Sequence, residues 1–486
     1  MVEVIVVGAG PVGMMLAGEL MLAGVDVVIA ERRSTTELVG SRAGGFHART
    51  IELLDQRGIA DRFLAKGKTR PVPYAGTMLD ISDFPTRHPY TLGIMQNDIE
   101  RILAEWLDEL AVPVLRDREV IGLAQGGTEV ELRLADGETW HAPYVVGADG
   151  GRSVIRRAAG ISFPGWDKTT SALIAEVEVT EPLPEVTYDA NGIHGLSYLA
   201  DGRTVRVVTS EPVRDTTGDP TLADLSTNLI AVFGTDFGVH HPTWISRFTD
   251  TTRQAATYRR DRVLLAGDAA HIHSPAGGQG IGLGIQDAVN LGWKLAQVVQ
   301  GISTDSLLDT YHAERHPADA RSLQYTMAAS ALQRQDPRIG ALRDLMTAMV
   351  GFAEPRTHLA GLISGLDVHY DLGEGHALLG RRMPDLDLIT AEGSTRVFTL
   401  LHRARPVLIA FDEPRDVDLG IWADRVQLVD AACDGPWELP VIGAVSAPTA
   451  VLVRPDGHVA WVGEGSTSGL ADALMTWCGA RPQRFA

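Results

Sequence analysis

The stretch from residue 262 to residue 288 reads RVLLAGDAAHIHSPAGGQGIGLGIQDA. Its apolar beginning is typical of a short buried strand, which would end at Gly267-Asp268. Pro275 and five glycines follow before a long helical segment; the glycines are Gly277, Gly278, Gly280, Gly282 and Gly284. The first N–H groups of a helix have no acceptor within the helix, so this order places a carboxylate beside a row of free backbone donors.

A second glycine-rich turn lies near the start of the chain, as Gly8-x-Gly10-x-x-Gly13. In such a turn the first glycine permits a tight bend, the second lets a pyrophosphate approach the backbone, and the third lets helix and strand pack closely. The surrounding pattern predicts a strand, a helix and a second strand at 2–7, 14–23 and 25–30. The turn therefore predicts dinucleotide binding, although ordinary α/β folds also use glycine-rich turns, and alone it does not separate FAD from NAD.

Two carboxylates stand at predicted strand ends, where they could bind sugar hydroxyls. Glu31 follows the second strand, 18 residues after Gly13, and fits a dinucleotide ribose. Asp268 could bind a second sugar-like chain such as ribitol, and the donor-rich turn after it could stabilise negative charge on a reduced flavin. The alternatives are a helix cap at Asp268 and a helix entry that only packs tightly. Together, the two glycine-rich turns favour a flavin.

Length and composition limit the class of protein. A chain of 486 residues predicts two or three domains. The formal net charge of -19, with no basic stripe, argues against nucleic acid and anionic membranes as partners. Cys433 and Cys478 are too few for a disulfide framework or a zinc site, which favours a reduced, cytoplasmic protein. We expect neither a signal peptide nor a membrane span, since no apolar run reaches about 18 residues.

The segments between the two turns alternate in pattern. Asn97-Asp98-Ile99-Glu100 resembles a capping box and predicts a helix to about residue 111. Asp136-Gly137 predicts a hairpin turn. The β-rich segments here are 119–123, 129–134 and 139–146.

From about residue 171 to residue 260, alternating strands and proline-rich turns predict an inserted antiparallel sheet. Its predicted elements are strands at 172–179 and 204–209 and a helix at 222–232. Helices dominate from 286 to 366. A small α/β appendage is predicted after residue 378, with strands at 407–410, 426–429 and 449–453.

Two groups of side chains invite further functions. His271-x-His273 has a metal-binding appearance, but Asp268 is the only carboxylate close before it and no third histidine is near, so we predict turn packing and no metal. Six aromatic residues lie in or near the insert, and we expect most to be core and one or two to face a flat substrate. They are Trp166, Tyr188, Tyr198, Trp244, Phe248 and Tyr258.

Three motifs in a fixed order carry a family resemblance. Gly8-x-Gly10-x-x-Gly13, Asp149-Gly150 and Gly267-Asp268-Ala-Ala-His resemble the fingerprints of class A flavoprotein monooxygenases of the p-hydroxybenzoate hydroxylase type, over roughly residues 1–375. Further stretches are similar to actinobacterial aromatic polyketide hydroxylases and rifampicin monooxygenases. These stretches are Ser41-Arg42, His47-Ala-Arg49-Thr50, residues 378–384 and the C-terminal part.

The resemblance implies an α/β architecture. It consists of a Rossmann-like FAD-binding domain with an inserted antiparallel β-sheet substrate domain, plus a C-terminal thioredoxin-like α/β domain without a CxxC motif. The expected boundaries are 1–170 and 261–378 for the two parts of the FAD-binding domain, 171–260 for the substrate domain and 379–486 for the C-terminal domain.

Residue roles follow from the same resemblance. Glu31 with Arg32 would bind the adenosine ribose, Arg42 and Gln96 would contact the flavin, and Asp268 would bind the ribitol and pyrophosphate region. Pro275 and residues 277–282 would border the isoalloxazine, while Asp149 and Arg152 would serve FAD and the NAD(P)H path. Gly44 departs from relatives that carry a second arginine there. The expected cofactor-binding residues are Gly8, Gly10, Val12, Gly13, Glu31, Arg32, Arg42, Gln96, Asp149, Gly267, Asp268, Pro275, Gly278, Gly280, Ile281 and Gly282.

The resemblance also implies the reaction. NADPH or NADH would visit and reduce FAD, O2 would form a flavin C4a-hydroperoxide, and a polycyclic aromatic polyketide would be hydroxylated, with no catalytic side chain assigned. The protein would be a monomer or homodimer. The alternatives are Baeyer–Villiger oxygenation, inactivation of a rifamycin-type antibiotic, and a non-oxygenating FAD or NAD reductase or binding protein.

Overall fold

We describe the protein from a computed structural model, which covers residues 2–41, 44–74, 77–185, 187–189, 192–199, 201–211, 218–334, 336–411 and 419–480. A six-stranded sheet forms its centre, and every neighbouring pair is parallel except the pair at one edge. Among the six strands, the five that pair in parallel are apolar, as is typical of a parallel sheet, whereas the antiparallel edge strand consists of two arginines. Their spatial order is Arg259–Arg260, Val263–Leu265, Tyr144–Gly147, Val4–Val7, Val27–Ala30 and Val114–Leu115.

The first glycine-rich turn lies in the predicted strand–helix–strand unit. Val4–Val7 pairs with Val27–Ala30, and the helix Pro11–Leu22 connects them. Pro11 begins this helix, where its missing N–H costs nothing. The helix Gly280–Val299 packs along it so closely that a Cβ atom at Gly292 would lie 2.5 Å from the Cβ atom of Glu19. The two glycine-rich segments of the sequence thus supply neighbouring helices.

The β-rich segment predicted at 139–146 is two strands. Thr139–Ala142 joins a three-stranded antiparallel sheet with Val120–Gln125 and Val130–Leu134, whereas Tyr144–Gly147 joins the central sheet. Pro143 separates them, because proline has no N–H to donate to a strand ladder. The hairpin predicted at Asp136-Gly137 is confirmed.

The capping box predicted at 97–100 is wrong. The N-cap residue of the helix Gln96–Glu109 is Met95, two residues before Asn97, and its side chain makes no cap hydrogen bond. Glu100 instead turns inward, where it accepts hydrogen bonds from Arg33 Nη1 at 2.8 Å and Gln96 Nε2 at 3.0 Å. Glu100 therefore pairs with Arg33, which is 67 residues away in sequence, and does not form the predicted cap.

The insert is a five-stranded antiparallel sheet. The helix Leu222–Phe233 covers one face, where Leu225 and Leu229 pack against Leu173 and Val207. Side chains alternate along a strand, so Ala172 and Val208 lie on the opposite face, toward the turn at Pro275. The spatial order of the strands is Thr187–Asp189, Gly192–Tyr198, Val205–Glu211, Ser171–Glu178 and His240–Thr249.

Helices follow the insert, as predicted, and the chain ends in a small mixed α/β part. The helices are Gly280–Val299, Asp309–Leu332, Pro337–Met349 and Ala353–Ser364. The C-terminal sheet has the order Gln427–Asp430, Val407–Ala410, Ala450–Val453 and Val459–Gly463, and the helix Leu470–Cys478 packs on it. Within the described residues, no helix is both long and apolar enough to cross a membrane.

Candidate active site

The first glycine-rich turn combines two tightly packed glycines with one open glycine. A Cβ atom at Gly8, where φ is +108°, would lie 2.5 Å from the carbonyl oxygen of Ala148. A Cβ atom at Gly13 would lie 2.0 Å from the carbonyl oxygen of Gly8. At Gly10 a Cβ atom would meet no described atom within 4 Å. The space above Gly10 is therefore the part of the turn that a ligand can occupy.

Glu31 ties the end of the second strand to this turn. Its carboxylate is buried and accepts hydrogen bonds from the N–H of Ala9 at 2.6 Å and from the N–H of Arg33 at 2.8 Å. Arg33 also donates to the carbonyl of Ala9 at 2.9 Å, while Arg32 is exposed. The sequence does not indicate which of two adjacent arginines turns inward, so it does not predict the contacts that Arg33 makes with Glu31 and Ala9. The binding role expected of Arg32 stays a prediction.

The two glycine-rich segments meet at Val12. Its Cγ2 atom would lie 2.8 Å from a Cβ atom at Gly267, where φ is +60°, and 2.3 Å from a Cβ atom at Gly284. Only glycine lets both backbones approach this side chain. Asp268 follows directly and is exposed, and no described residue donates a hydrogen bond to its carboxylate. Asp268 thus follows the residue that packs against Val12 of the first glycine-rich turn, and its carboxylate is accessible.

A histidine fixes the turn that we expect to border the isoalloxazine. His47 Nε2 donates to the carbonyl of Gly277 at 2.6 Å, and His47 Nδ1 lies 3.2 Å from the Thr91 hydroxyl. Pro275 and Gly278 are exposed beside it. No side chain caps the following helix, so the N–H groups of its first turn (Gly280, Ile281 and Gly282) can face an anion.

Acid should weaken the fold through His47. Burial lowers the pKa of His47 from its ordinary 6.5 to about 4. The unfolded chain takes up the proton first, so we expect the contribution of His47 to stability to be constant above pH 6.5 and to fall as pH drops from 6.5 toward 4, by up to about 3 kcal/mol. Urea unfolding of the apoprotein across this pH range measures the free energy of unfolding and checks the expected loss. A His47→Gln variant, which keeps a donor for Gly277, should show a shallower slope; an equal slope would contradict the assignment.

Asp149 lies beside the first glycine-rich turn. Asp149 Oδ2 caps the helix Val154–Ala158 by accepting the N–H of Val154 at 2.6 Å, while its Oδ1 is buried without a partner among the described residues. Its Cα atom would lie 3.2 Å from a Cβ atom at Gly8. Gln96 contacts Glu100, Arg152 is exposed, and Arg42 lies outside the described residues.

The two histidines of His271-x-His273 have different partners. His273 Nδ1 contacts the carbonyl of Ser274 at 2.6 Å, whereas His271 Nε2 lies 2.7 Å from Asp287 Oδ2. Burial opposes the charge on His271, but the carboxylates of Asp319 and Asp287 raise its pKa to about 9. These carboxylates come 16 and 48 residues after His271, too far for the sequence pattern to indicate them.

A cavity of about 230 Å³ lies between the inserted sheet and the second glycine-rich turn. Ala172, Val208 and Phe248 contribute from the sheet, and Pro275 and Ser330 contribute from the opposite side. Among the five predicted aromatic residues whose side chains the structure describes, Phe248 alone belongs to this lining. Trp166 and Tyr198 are exposed, Tyr258 is buried beneath His271, Trp244 packs against Gly40, and the side chain of Tyr188 lies outside the described part.

Comparison with known proteins places the chain in a class. The FAD-binding domain family matches residues 1–326, and the family of aromatic-ring hydroxylase C-terminal domains matches residues 376–481. The chain therefore belongs to the FAD-dependent aromatic monooxygenases, which confirms the resemblance carried by the three motifs.

Individual relatives extend over the whole chain. Rifampicin monooxygenase of Streptomyces venezuelae is 44% identical over 99% of this chain and 99% of its own length. The solved anhydrotetracycline hydroxylase from Streptomyces rimosus has a TM-score of 0.92 and 42% identity, covering 98% of this chain and 99% of that one. A dialkyldecalin synthase of Streptomyces rugosporus is 39% identical over 98% of both chains.

Proposed function

We propose that this protein hydroxylates a polycyclic aromatic polyketide, with FAD bound across the two glycine-rich turns and NADPH or NADH as electron donor. The observation that carries the substrate class is the cavity of about 230 Å³. Its walls combine apolar side chains such as Val208 and Phe248 with polar ones such as Thr170, and its opposite edge is the turn at Pro275. Two relatives, a rifampicin monooxygenase and an anhydrotetracycline hydroxylase, support the proposal.

The residues present fit FAD on two independent grounds. The space above Gly10 is free, and the buried Oδ1 atom of Asp149 lacks a partner among the described residues. Glu31 would hold the adenosine ribose, Asp268 the ribitol, and the first turn of the helix Gly280–Val299 the flavin ring. Bound FAD supplies electron transfer and oxygen activation. The chain's own residues bind it, orient it and exclude water.

One polar group in the cavity wall is placed to orient a substrate. Ser330 Oγ is buried and has no hydrogen-bond partner among the described residues. A buried hydroxyl without a partner is costly, so a phenolic or keto oxygen of the substrate would satisfy it. Apolar side chains together with polar groups such as this one match a flat, oxygen-bearing ring system.

We further propose a structural role for the C-terminal part, as a thioredoxin-like domain from about residue 379. Its four-stranded mixed sheet supports this architecture. Cys433 and Cys478 are 45 residues apart in sequence, and burial raises the pKa of the Cys478 thiol to about 12, which disfavours thiol chemistry. The expected boundaries, a cytoplasmic location and a monomeric or homodimeric state are part of the same proposal.

The experiment that tests the reaction measures NAD(P)H oxidation by the FAD-loaded protein. We expect oxidation to consume O2, to be stimulated by a tetracyclic or angucyclic polyketide, and to yield a product heavier by one oxygen atom by mass spectrometry. The dialkyldecalin synthase relative makes a non-oxygenating reaction the second candidate. FAD retention without O2 consumption for any polyketide would favour that second candidate and contradict hydroxylation.

Filling the cavity should block the substrate and spare the cofactor. A Val208→Trp variant places an indole in a cavity of about 230 Å³, so we expect the Kd of a tetracyclic polyketide to rise at least about tenfold, equivalent to ~1.4 kcal/mol. FAD binding should stay unchanged. Equilibrium titrations of substrate and FAD check this. Ser197→Trp, at an exposed position of the same sheet, is the matched control, and equal effects of the two variants would contradict the site.

A further inference from the structure

A buried aspartate holds the backbone that carries Asp268. Asp287, on the helix Gly280–Val299, is fully buried. Its Oδ2 atom accepts the N–H of Gly267 at 3.0 Å and lies 2.7 Å from His271 Nε2. Its Oδ1 atom accepts from Arg315 Nε at 2.8 Å. One carboxylate therefore joins the Gly267 peptide to two cationic groups.

The Gly267 peptide is the point where the direction of Asp268 is set. Gly267 has a φ of +60° and fits between Val12 on one side and Gly284 on the other. Asp268 has no side-chain partner among the described residues, so backbone geometry alone orients it. The N–H of Gly267 donates to Asp287 Oδ2, and the carbonyl of Gly267 accepts from the N–H of Ala270 at 2.7 Å, so Asp287 supplies the side-chain contact that fixes this geometry.

The groups around Asp287 keep its carboxylate charged. Burial alone would favour the neutral acid, but His271 and Arg315 lower its pKa to about 2. Asp319 shares Arg315 and accepts a hydrogen bond from the Tyr258 hydroxyl at 3.0 Å. Asp319 makes no hydrogen bond to Gly267, which makes it a natural comparison within the same cluster.

We propose that Asp287 is a positioning residue for FAD: held by His271 and Arg315, it fixes the Gly267 peptide and thereby directs Asp268 toward the cofactor. The inference rests on the proposed FAD site and adds residues that do not touch the cofactor. His271 acts in the same chain of contacts, since its Nε2–H orients the oxygen that accepts from Gly267.

Asp287→Asn is an informative change because it replaces one acceptor oxygen of the side chain by an NH2 donor and keeps the side chain nearly the same shape. The buried guanidinium of Arg315 will retain the amide oxygen of the new side chain, which turns its NH2 group toward the N–H of Gly267. Two donors then face each other, and the Gly267 peptide loses its acceptor. Asp319→Asn removes a charge from the same cluster without this conflict at Gly267.

The test compares both variants, each reconstituted from apoprotein with FAD. We expect similar losses in Tm, whereas the FAD Kd should rise at least about tenfold in Asp287→Asn, the size of a lost hydrogen bond to a charged group, and less than about threefold in Asp319→Asn. The visible circular dichroism of the bound flavin should change only in Asp287→Asn. Equal Kd changes in both variants, or an unchanged Kd in Asp287→Asn, would overturn the proposal.

An Asp268→Ala variant separates this proposal from the site on which it rests. If Asp268→Ala leaves the FAD Kd unchanged, the site itself is wrong. If it weakens FAD and Asp287→Asn does not, only the positioning role fails. If Asp287→Asn does not fold, a second pair of variants tests the positioning role. His271→Gln keeps a hydrogen-bond donor for Asp287, and His271→Leu removes it. We expect weaker FAD binding in the leucine variant, and equal affinities would refute the role.

Discussion

A Gly10→Val variant will fold like the parent chain and will lose at least about 100-fold in FAD affinity, or ~2.7 kcal/mol. The backbone at Gly10 is extended, with φ −79° and ψ 177°, and a Cβ atom there meets no described atom within 4 Å. Valine therefore fits the apoprotein without strain. Its methyl groups occupy the space assigned to the pyrophosphate. Thermal unfolding of the apoprotein and FAD titration measure the two effects.

Gly13→Ala is the matched control for this prediction. Its Cβ atom would lie 2.0 Å from the carbonyl oxygen of Gly8, so we expect the substitution to lower the Tm of the apoprotein. Loss of FAD affinity without a change in the Tm of the apoprotein is therefore expected for Gly10→Val and not for Gly13→Ala. Normal FAD affinity in Gly10→Val would mean that the pyrophosphate does not lie over this turn.

The second large effect concerns Arg454, which joins the C-terminal part to the nucleotide-binding part. Arg454 is 1% exposed, donates to both carboxylate oxygens of Glu314 at 2.8 and 2.7 Å, and also pairs with Asp456. Arg454→Met would leave two buried carboxylates with Lys294 as the remaining cation close to Glu314. Breaking a buried ion pair in this way costs about 3–5 kcal/mol. Urea unfolding should show this loss in the free energy of unfolding.

Arg338→Met is a suitable comparison, because the Arg338 side chain is 91% exposed and pairs with Asp336 on the surface. We expect its unfolding midpoint to match the parent chain, since surface ion pairs contribute little. A loss of similar size in both variants, or none in Arg454→Met, would contradict the view that this cluster holds the two parts together.

Local patterns predicted the strand–helix–strand unit, both glycine-rich turns and the Asp136-Gly137 hairpin. Each depends on backbone rules within about 30 residues, such as helix period, turn chemistry and the needs of a pyrophosphate-binding turn. The family resemblance then supplied the cofactor and reaction class, which the comparisons confirm.

Contacts between distant segments account for what the sequence could not indicate. Arg33, and not Arg32, turns inward because it pairs with Glu100, which lies 67 residues away in sequence. The same ion pair draws Glu100 away from the predicted helix cap. His47 is hydrogen-bonded to the carbonyl of Gly277, which lies 230 residues away in sequence. Asp287 and Asp319 reach His271 only after two helices pack together. Such partners are chosen by tertiary packing, which periodicity does not encode.

The most direct test of a single FAD site built from both glycine-rich turns is equilibrium titration of the apoprotein with FAD. We expect saturable binding at one FAD per chain. We also expect a Kd at least about tenfold higher in Asp268→Ala, because a hydrogen bond from the ribitol to a charged group is lost. A protein that takes up no FAD, or an Asp268→Ala variant with unchanged affinity, would contradict the account.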